Sequence, residues 1–327
     1  MQVLISIQQP VRAWQIPPVS VETLRMRFPD ITFIHATDEQ SRANGLADAD
    51  VAFTWILSAA ELATAARLRW VHSSAVAVET LCLPELFARQ VVVSNSRGVQ
   101  SLPIAEHVLA VVLALAKQLP FVIDRQRDKH WAQNDLIDAR LPWLLHGKTL
   151  GLIGAGTIGS TIARLASVFG MHVVALTRRG NRSKPAEVDE MLPAESLDEL
   201  LERSDVLVIA APLTLETLNM IGARQLARMK RGSILINVGR AKIVDHEALA
   251  DALRSGHLGG ASLDVFHREP LPSDDPLWTL PNVILTPHTS GFRQGHWDDV
   301  IDLFSENLRR YCRGESVQFR VEPELGY

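Results

Sequence analysis

The sequence predicts an α/β fold built on parallel sheets in two domains. Strand-length apolar runs alternate with amphipathic stretches along most of the chain, the pattern of repeated βαβ units. At 327 residues the chain has room for about two domains, each with its own core. A glycine-rich turn near the middle sits between a strand-like and a helix-like stretch.

In order, residues 3–7, 31–36, 51–55, 68–72 and 91–94 read as strands, with amphipathic stretches such as 21–28 and 59–67 between them. A long apolar helix is expected over 101–118, then an irregular Trp- and Pro-containing stretch through Gly147. A second series follows, with strands at 150–153, 173–176, 206–211, 234–238, 261–265 and 283–286. Trp297, Val300, Ile301, Phe304 and Leu308 fall on one helical face, so an amphipathic helix comes last. The break between the two series lies near residue 100.

Composition excludes several classes. With 33 Lys+Arg against 37 Asp+Glu and a formal net charge of -4, there is no basic footprint for nucleic acid or an anionic membrane. The longest unbroken apolar run, residues 108–116, is far short of the ~18 residues that span a bilayer. Cys82 and Cys312 have no metal spacing, so neither a disulfide scaffold nor a metal site is expected. Met1-Gln2-Val3-Leu4-Ile5 has no basic region of a secretory signal and reads as a strand. A cytoplasmic protein is the expectation.

Gly154, Ala155, Gly156, Thr157, Ile158 and Gly159 form a GxGxxG directly after the strand at 150–153 and open a helix running to Phe169. The first glycine permits a tight turn, the second lets backbone approach a pyrophosphate, and the third permits close helix-to-strand contact. The N–H groups at the helix start then bind the anion. A βα turn without ligand is the alternative. A P-loop is excluded, because Pro142 stands where its first glycine belongs and a strand follows Gly147-Lys148-Thr149.

An NAD-selective site has Asp or Glu at the end of the second strand, on the ribose 2′-hydroxyl. Here that strand ends in Thr177, Arg178 and Arg179, with Arg182 and Lys184 beyond, and no carboxylate occurs between Gly154 and Glu187. Arginines pair with a 2′-phosphate that a carboxylate would repel, so NADP(H) is expected in preference to NAD(H). The alternative is a solvated basic loop in a protein that accepts either nucleotide.

Three later segments each end a strand with polar residues, at the carboxyl edge where open α/β sheets place ligands. They are Asn237-Val238-Gly239-Arg240-Ala241, Asp264-Val265-Phe266-His267-Arg268-Glu269-Pro270, and Thr286-Pro287-His288-Thr289-Ser290. With these motifs the chain resembles the D-isomer-specific 2-hydroxyacid dehydrogenases, which include glyoxylate/hydroxypyruvate reductases and 3-phosphoglycerate dehydrogenase. The similarity runs from about Leu68 to Arg310. The resemblance implies that Arg240, Glu269 and His288 are the catalytic set, that Asp264 sits near the nicotinamide carboxamide, and that Ala211-Pro212-Leu213-Thr214 lines the cofactor with Val238 and Gly239. It also implies a Rossmann-type doubly wound sheet at 100–289, inserted into a flavodoxin-like α/β substrate domain made of 1–99 and 290–327. The active site is then expected in the cleft between them, and a homodimer is expected through the helix at 101–118 and the stretch after it.

The residue types suit the chemistry on their own terms. Reducing a 2-keto acid needs a fixed cation on its carboxylate and carbonyl, which a guanidinium supplies. The forming alkoxide needs a proton, which His gives near neutral pH. A carboxylate beside that His favours imidazolium and orients the ring, so Glu269→Gln is expected to move the alkaline limb of reduction to lower pH. The plainer alternatives are a surface cation for Arg240, a loop carboxylate for Glu269 and a structural histidine for His288. His267 and His296 read as supporting or surface residues.

The family pattern departs at two places. Ala241 stands where Gly usually follows the catalytic Arg, and Ala75-Val76-Ala77-Val78-Glu79 stands where Gly-x-Gly-x-Asp is usual. In the family that loop's amides bind the substrate carboxylate, so Val76 and Ala77 are the candidates, and alanine there disfavours any positive-φ geometry. Trp55, Trp70 and Trp143 are candidates for pocket lining or core. Short-chain dehydrogenases are excluded because neither Tyr311 nor Tyr327 has Lys four residues later, and zinc alcohol dehydrogenases because two cysteines cannot supply their ligands. A formate-type dehydrogenase and a dinucleotide-sensing corepressor remain as alternatives.

Overall fold

The computed structural model describes residues 1–9, 11–139, 141–177 and 184–322, and the chain forms two compact units. One comprises Met1–Gln100 and the chain from Phe292, the other Ser101–Gly291.

In the first unit, strands β1 (Gln2–Ser6), β2 (Thr32–His35), β3 (Val51–Thr54), β4 (Trp70–Ser73) and β5 (Val92–Asn95) pair in parallel in the order β2-β1-β3-β4-β5. This is the flavodoxin-like order. Four helices connect them: α1 (Pro18–Arg27), α2 (Glu39–Ala47), α3 (Ala59–Thr64) and α4 (Pro84–Ala88). Their starts are written locally. Asp38 and Ser58 make capping boxes with Ser41 and Glu61, while α1 and α4 begin with proline, whose missing N–H costs nothing there. Leu4, Ala52, Val71 and Val93 pack on one sheet face with Leu46, Leu62 and Leu86. Val3, Ile5, Phe53 and Trp70 pack on the other with Val21 and Leu24 of α1 and with the last helix, His296–Cys312. Phe304 from that helix stacks on Phe53 at 4.2 Å.

The second unit opens with α5 (Ser101–Ala116), α6 (Leu119–Arg127) and α7 (Gln133–Ala139). There follow β6 (Thr149–Ile153), α8 (Thr157–Val168), β7 (His172–Thr177), β8 (Glu190–Pro193), α9 (Leu197–Arg203), β9 (Val206–Ile209), α10 (Ala223–Arg228), β10 (Ile234–Asn237), α11 (His246–Arg254), β11 (Gly260–Leu263) and β12 (Val283–Leu285). All seven strands are parallel, in the order β12-β11-β10-β9-β6-β7-β8. Counted from β6 this is the Rossmann order with one further strand, and the direction of winding reverses between β6 and β9. Successive residues face opposite layers: Leu150, Leu152, Val206, Val208, Ile234 and Ile236 meet α5 and α8, whereas Ile153, Leu207, Ile209 and Leu235 meet the α9–α11 layer.

Two regions differ from the sequence-based expectation. The stretch after α5 is not irregular, because Pro120 occupies the first turn of α6, where proline is compatible with a helix, and Gln118 (φ 57°) turns the chain into it. Strand β8 was not expected; it is an edge strand paired only to β7, so Glu190 and Pro193 are tolerated. No single helix among the described residues is long and apolar enough to cross a membrane.

Candidate active site

The turn after β6 has the shape a dinucleotide pyrophosphate requires. Gly154 has φ 100°, and a Cβ there would lie 2.9 Å from the backbone of Ala210 and Ala211. A Cβ at Gly159 would lie 2.0 Å from the Gly154 carbonyl oxygen, so only glycine lets α8 start this close to the strand. By contrast a Cβ at Gly156 would meet nothing within 4 Å, which leaves open space over the first turn of α8. Ala155, Thr157 and Ile158 complete the turn, and the first N–H groups of α8 have no partner within the helix. These features fit a nucleotide phosphate.

The turn stands at the point where the winding reverses. Ala211 and Pro212 follow the neighbouring strand β9, and Val238 and Gly239 follow β10. A Cβ at Gly239 would sit 2.7 Å from the Ala211 carbonyl oxygen, so these two segments touch. On the other side, Thr177 ends β7. Arg178 and Arg179, on which the NADP(H) expectation rests, lie outside the described residues, as does Arg182.

Three adjacent parallel strands, β10, β11 and β12, are followed at the same sheet edge by Arg240, Glu269 and His288 respectively. Glu269 Oε2 lies 2.9 Å from His288 Nδ1, and its Oε1 accepts the Phe266 N–H at 2.9 Å. The carboxylate therefore fixes the ring from the Nδ1 side. Arg240 donates from Nη1 to the Gly239 carbonyl at 2.9 Å. Asn237 shapes the turn before it: its Oδ1 accepts the Gly239 N–H at 3.0 Å and its Nδ2 donates to the Arg240 carbonyl at 3.1 Å.

Asp264 is buried, and both its oxygens are engaged by the turn that carries His288. Oδ1 accepts the Thr286 hydroxyl at 2.6 Å and the Thr289 N–H at 2.9 Å, and Oδ2 accepts the Ser290 N–H at 3.0 Å. His288 itself has φ 55°, a left-handed conformation uncommon outside glycine. His107 of α5 lies behind Thr286 (Nε2 to Oγ1 3.5 Å), and burial lowers its pKa against the opposing effect of Asp264.

Val76 and Ala77 belong to the first unit, on the loop after β4. Asn95 Nδ2 donates to the Val76 carbonyl at 2.8 Å, the Ala75 N–H donates to Ser73 Oγ at 3.1 Å, and Ser96 Oγ donates to the Ser73 carbonyl at 2.8 Å. No residue from 74 to 79 has positive φ, so the alanines impose no backbone strain. Trp70 is fully buried core, Trp143 packs on the core of its unit, and Trp55 donates from Nε1 to the Gln8 carbonyl at 3.0 Å. Asn237 and Thr286 head two of the strand-end segments read from the sequence, but sequence reasoning gave neither a role. Their bonds to the Arg240 turn and to Asp264 are set by the fold.

Comparison with known proteins agrees with this architecture. The family model described as D-isomer specific 2-hydroxyacid dehydrogenase, NAD binding domain, matches residues 109–290. A glyoxylate reductase of Korarchaeum cryptofilum is 37% identical over 263 residues, covering 80% of this chain and 78% of that protein. The structure of an NADPH-dependent glyoxylate/hydroxypyruvate reductase from Sinorhizobium meliloti in complex with NADP and sulfate is similar with a TM-score of 0.84 and 26% identity, covering 100% of this chain and 99% of that one. A D-lactate dehydrogenase from Aquifex aeolicus complexed with NAD and lactic acid has a TM-score of 0.77 and 26% identity, with 96% of both chains covered. The chain belongs to the D-isomer-specific 2-hydroxyacid dehydrogenase family and is an NAD(P)-dependent oxidoreductase.

Proposed function

We propose that this enzyme works as a reductase of a small 2-keto acid, forming the D-2-hydroxy acid, with NADPH preferred over NADH. The observation that carries the reading is the 2.9 Å contact between Glu269 and His288 Nδ1, which leaves Nε2 to give a proton to the substrate carbonyl oxygen. A bound reduced nicotinamide supplies the hydride. Arg240 holds the substrate carboxylate and polarises the carbonyl, and the amides of Val76 and Ala77 hold the carboxylate further. The second unit takes the dinucleotide role, on residues 154–159, Thr177, Ala211, Pro212, Val238, Gly239 and Asp264. The first takes the substrate role. Arg178 and Arg179 receive the 2′-phosphate in this reading.

We also propose a cytoplasmic homodimer. Two cysteines in 327 residues make no disulfide framework of the kind that small secreted domains carry. Most of α5 is committed to the core of its own unit, so the dimer face falls on the stretch after it, where Trp131 (86%), Ile137 (55%), Leu141 (65%) and Leu144 (70%) are exposed. Sedimentation checks this: a monomer in dilute buffer removes it.

The main test follows nucleotide absorbance at 340 nm with glyoxylate, hydroxypyruvate, pyruvate and bulkier keto acids, using both cofactors. Turnover with kcat/KM at least about tenfold higher for NADPH supports the proposal, since one well-made charge-assisted phosphate pair is worth that much. Equal use of NADH overturns the preference. Saturable NADPH binding without consumption on any acid overturns the reductase reading in favour of a dinucleotide sensor.

A further inference from the structure

The loop bearing Glu269 leaves β11 at Leu263 and runs to Asp275, where a short 3-10 helix begins. The loop borders an open cleft of about 420 Å³, lined in part by His246, His267, Leu271 and Asp275. Two of its anchors are histidines. His246 Nε2, at the start of α11, meets Asp275 Oδ2 at 2.9 Å and holds the far end. His267, two residues before Glu269, reaches back to the segment that follows Arg240. Its Nε2 stands 3.1 Å from the Ala241 carbonyl oxygen and 3.1 Å from that of Val244. Both partners are acceptors only, so Nε2 carries a proton and donates to both.

We propose that His267 is a positioning residue: its imidazole ties the Glu269 loop to the Arg240 segment and so sets where Glu269 meets His288. This rests on the catalytic reading of Glu269 and His288 given above. The bracing is local and directional. Glu269 is held at its own carboxylate by the Phe266 N–H, the residue immediately before His267, so a shift of the ring moves the donor that aims the carboxylate. His267 touches no reacting atom and acts only through that placement.

The test compares His267→Phe, which keeps a ring but no donor, with His267→Gln, whose side-chain amide returns an N–H near the same place. Misplacing a catalytic group by a fraction of an ångström costs about tenfold, so His267→Phe is expected to lower kcat by about that factor with the KM for NADPH within about twofold. His267→Gln is expected to recover to within about threefold of the parent. In a Glu269→Gln background, His267→Phe is expected to change kcat by less than about twofold, because the group it positions is gone. A parent-like His267→Phe, a His267→Gln with normal Tm but no recovery, or the same loss in both backgrounds overturns the positioning role. Should Glu269→Gln alone be as active as the parent, the catalytic reading falls and this inference with it. That outcome is distinct from an impaired Glu269→Gln on which His267→Phe is additive, which removes the inference alone.

Discussion

The turn carrying His288 and the loop of residues 74–79 are both short polar connections after a parallel strand, yet they are held by opposite means. The His288 turn wraps a buried carboxylate: three donors from Thr286, Thr289 and Ser290 converge on Asp264, and His288 is kept in a left-handed backbone conformation. In the 74–79 loop, Ala75 and Val76 bond neutral partners, Ser73 and Asn95, and no residue has positive φ. Hydrogen bonds to a charged acceptor are roughly twice as strong as neutral ones, and a buried donor that loses such a partner costs about 1–3 kcal/mol. The His288 turn is therefore the less tolerant of a lost bond, whereas the other loop gives way more gradually. The loop after β4 accepts Ala75 and Ala77 at the two glycine positions of the resembled family's pattern because its geometry never requires a positive φ.

The comparison breaks most visibly at His288. Removing a general acid costs about 10²–10⁴ in rate, so His288→Gln is expected to lower kcat by about 10³ while NADPH binding, followed by fluorescence titration, stays within about twofold. A variant with parent-like kcat takes the proton-donor role away from this residue. Next in size is Asp264→Asn. Its amide turns two donors toward a ring of donors, so at least one backbone N–H loses its acceptor, at about 1–3 kcal/mol. The expected result is a kcat loss of about 10–100-fold, since part of that cost appears as a displaced His288. Unchanged kcat with only a lower Tm means that Asp264 serves the fold and not the turn.

How much of this was legible in the sequence depends on how far apart the interacting residues lie. The strands other than β8 were, because a parallel strand buried on both faces is written as an uninterrupted apolar run such as Val206-Leu207-Val208-Ile209. The glycine turn was, because its three constraints fall within six residues. The segments carrying Glu269 and His288 were marked by their place after strands, and the family resemblance singled out the two residues. Their contact was not readable, because it joins residues 19 apart whose approach depends on β11 and β12 being neighbours. Asp264 shows the limit more sharply. Its carboxylate is ringed by donors from a turn more than twenty residues later, a partnership that no local pattern announces. Helices α6 and α7 were illegible for another reason: they bury no hydrophobic stripe in their own unit, so no periodicity marks them.

On the neutral side the expected effects are smaller. Asn95→Ala removes the donor on the Val76 carbonyl, a net loss of about 1 kcal/mol. The KM for the keto acid is expected to rise about three- to tenfold with kcat within about twofold, the signature of lost uniform binding. A kcat loss as large as that of Asp264→Asn erases the distinction between the two connections.

The last effect touches stability alone and concerns pH, and it separates the loop's support from its chemistry. His72, at the end of β4 beneath this loop, is fully buried, bonds Ser94 Oγ from Nδ1 at 2.7 Å, and is pushed down to about 3 by burial. The folded state therefore holds the neutral ring where the unfolded chain would take up a proton at about 6.5. Its contribution to stability is complete above that value, declines as pH falls below it, and levels off below about 3. At pH 5.5 the loss is about 1.4 kcal/mol relative to pH 7.5. Because His296, pushed down to about 4 by burial and by Arg293, shifts stability in the same direction, the informative quantity is the difference between parent and His72→Asn. Urea unfolding at the two pH values is expected to show a drop smaller by about that 1.4 kcal/mol in the variant, whose amide can keep the bond to Ser94 without titrating. Equal drops in both proteins place the acid sensitivity elsewhere and leave the neutral network beneath the 74–79 loop indifferent to pH.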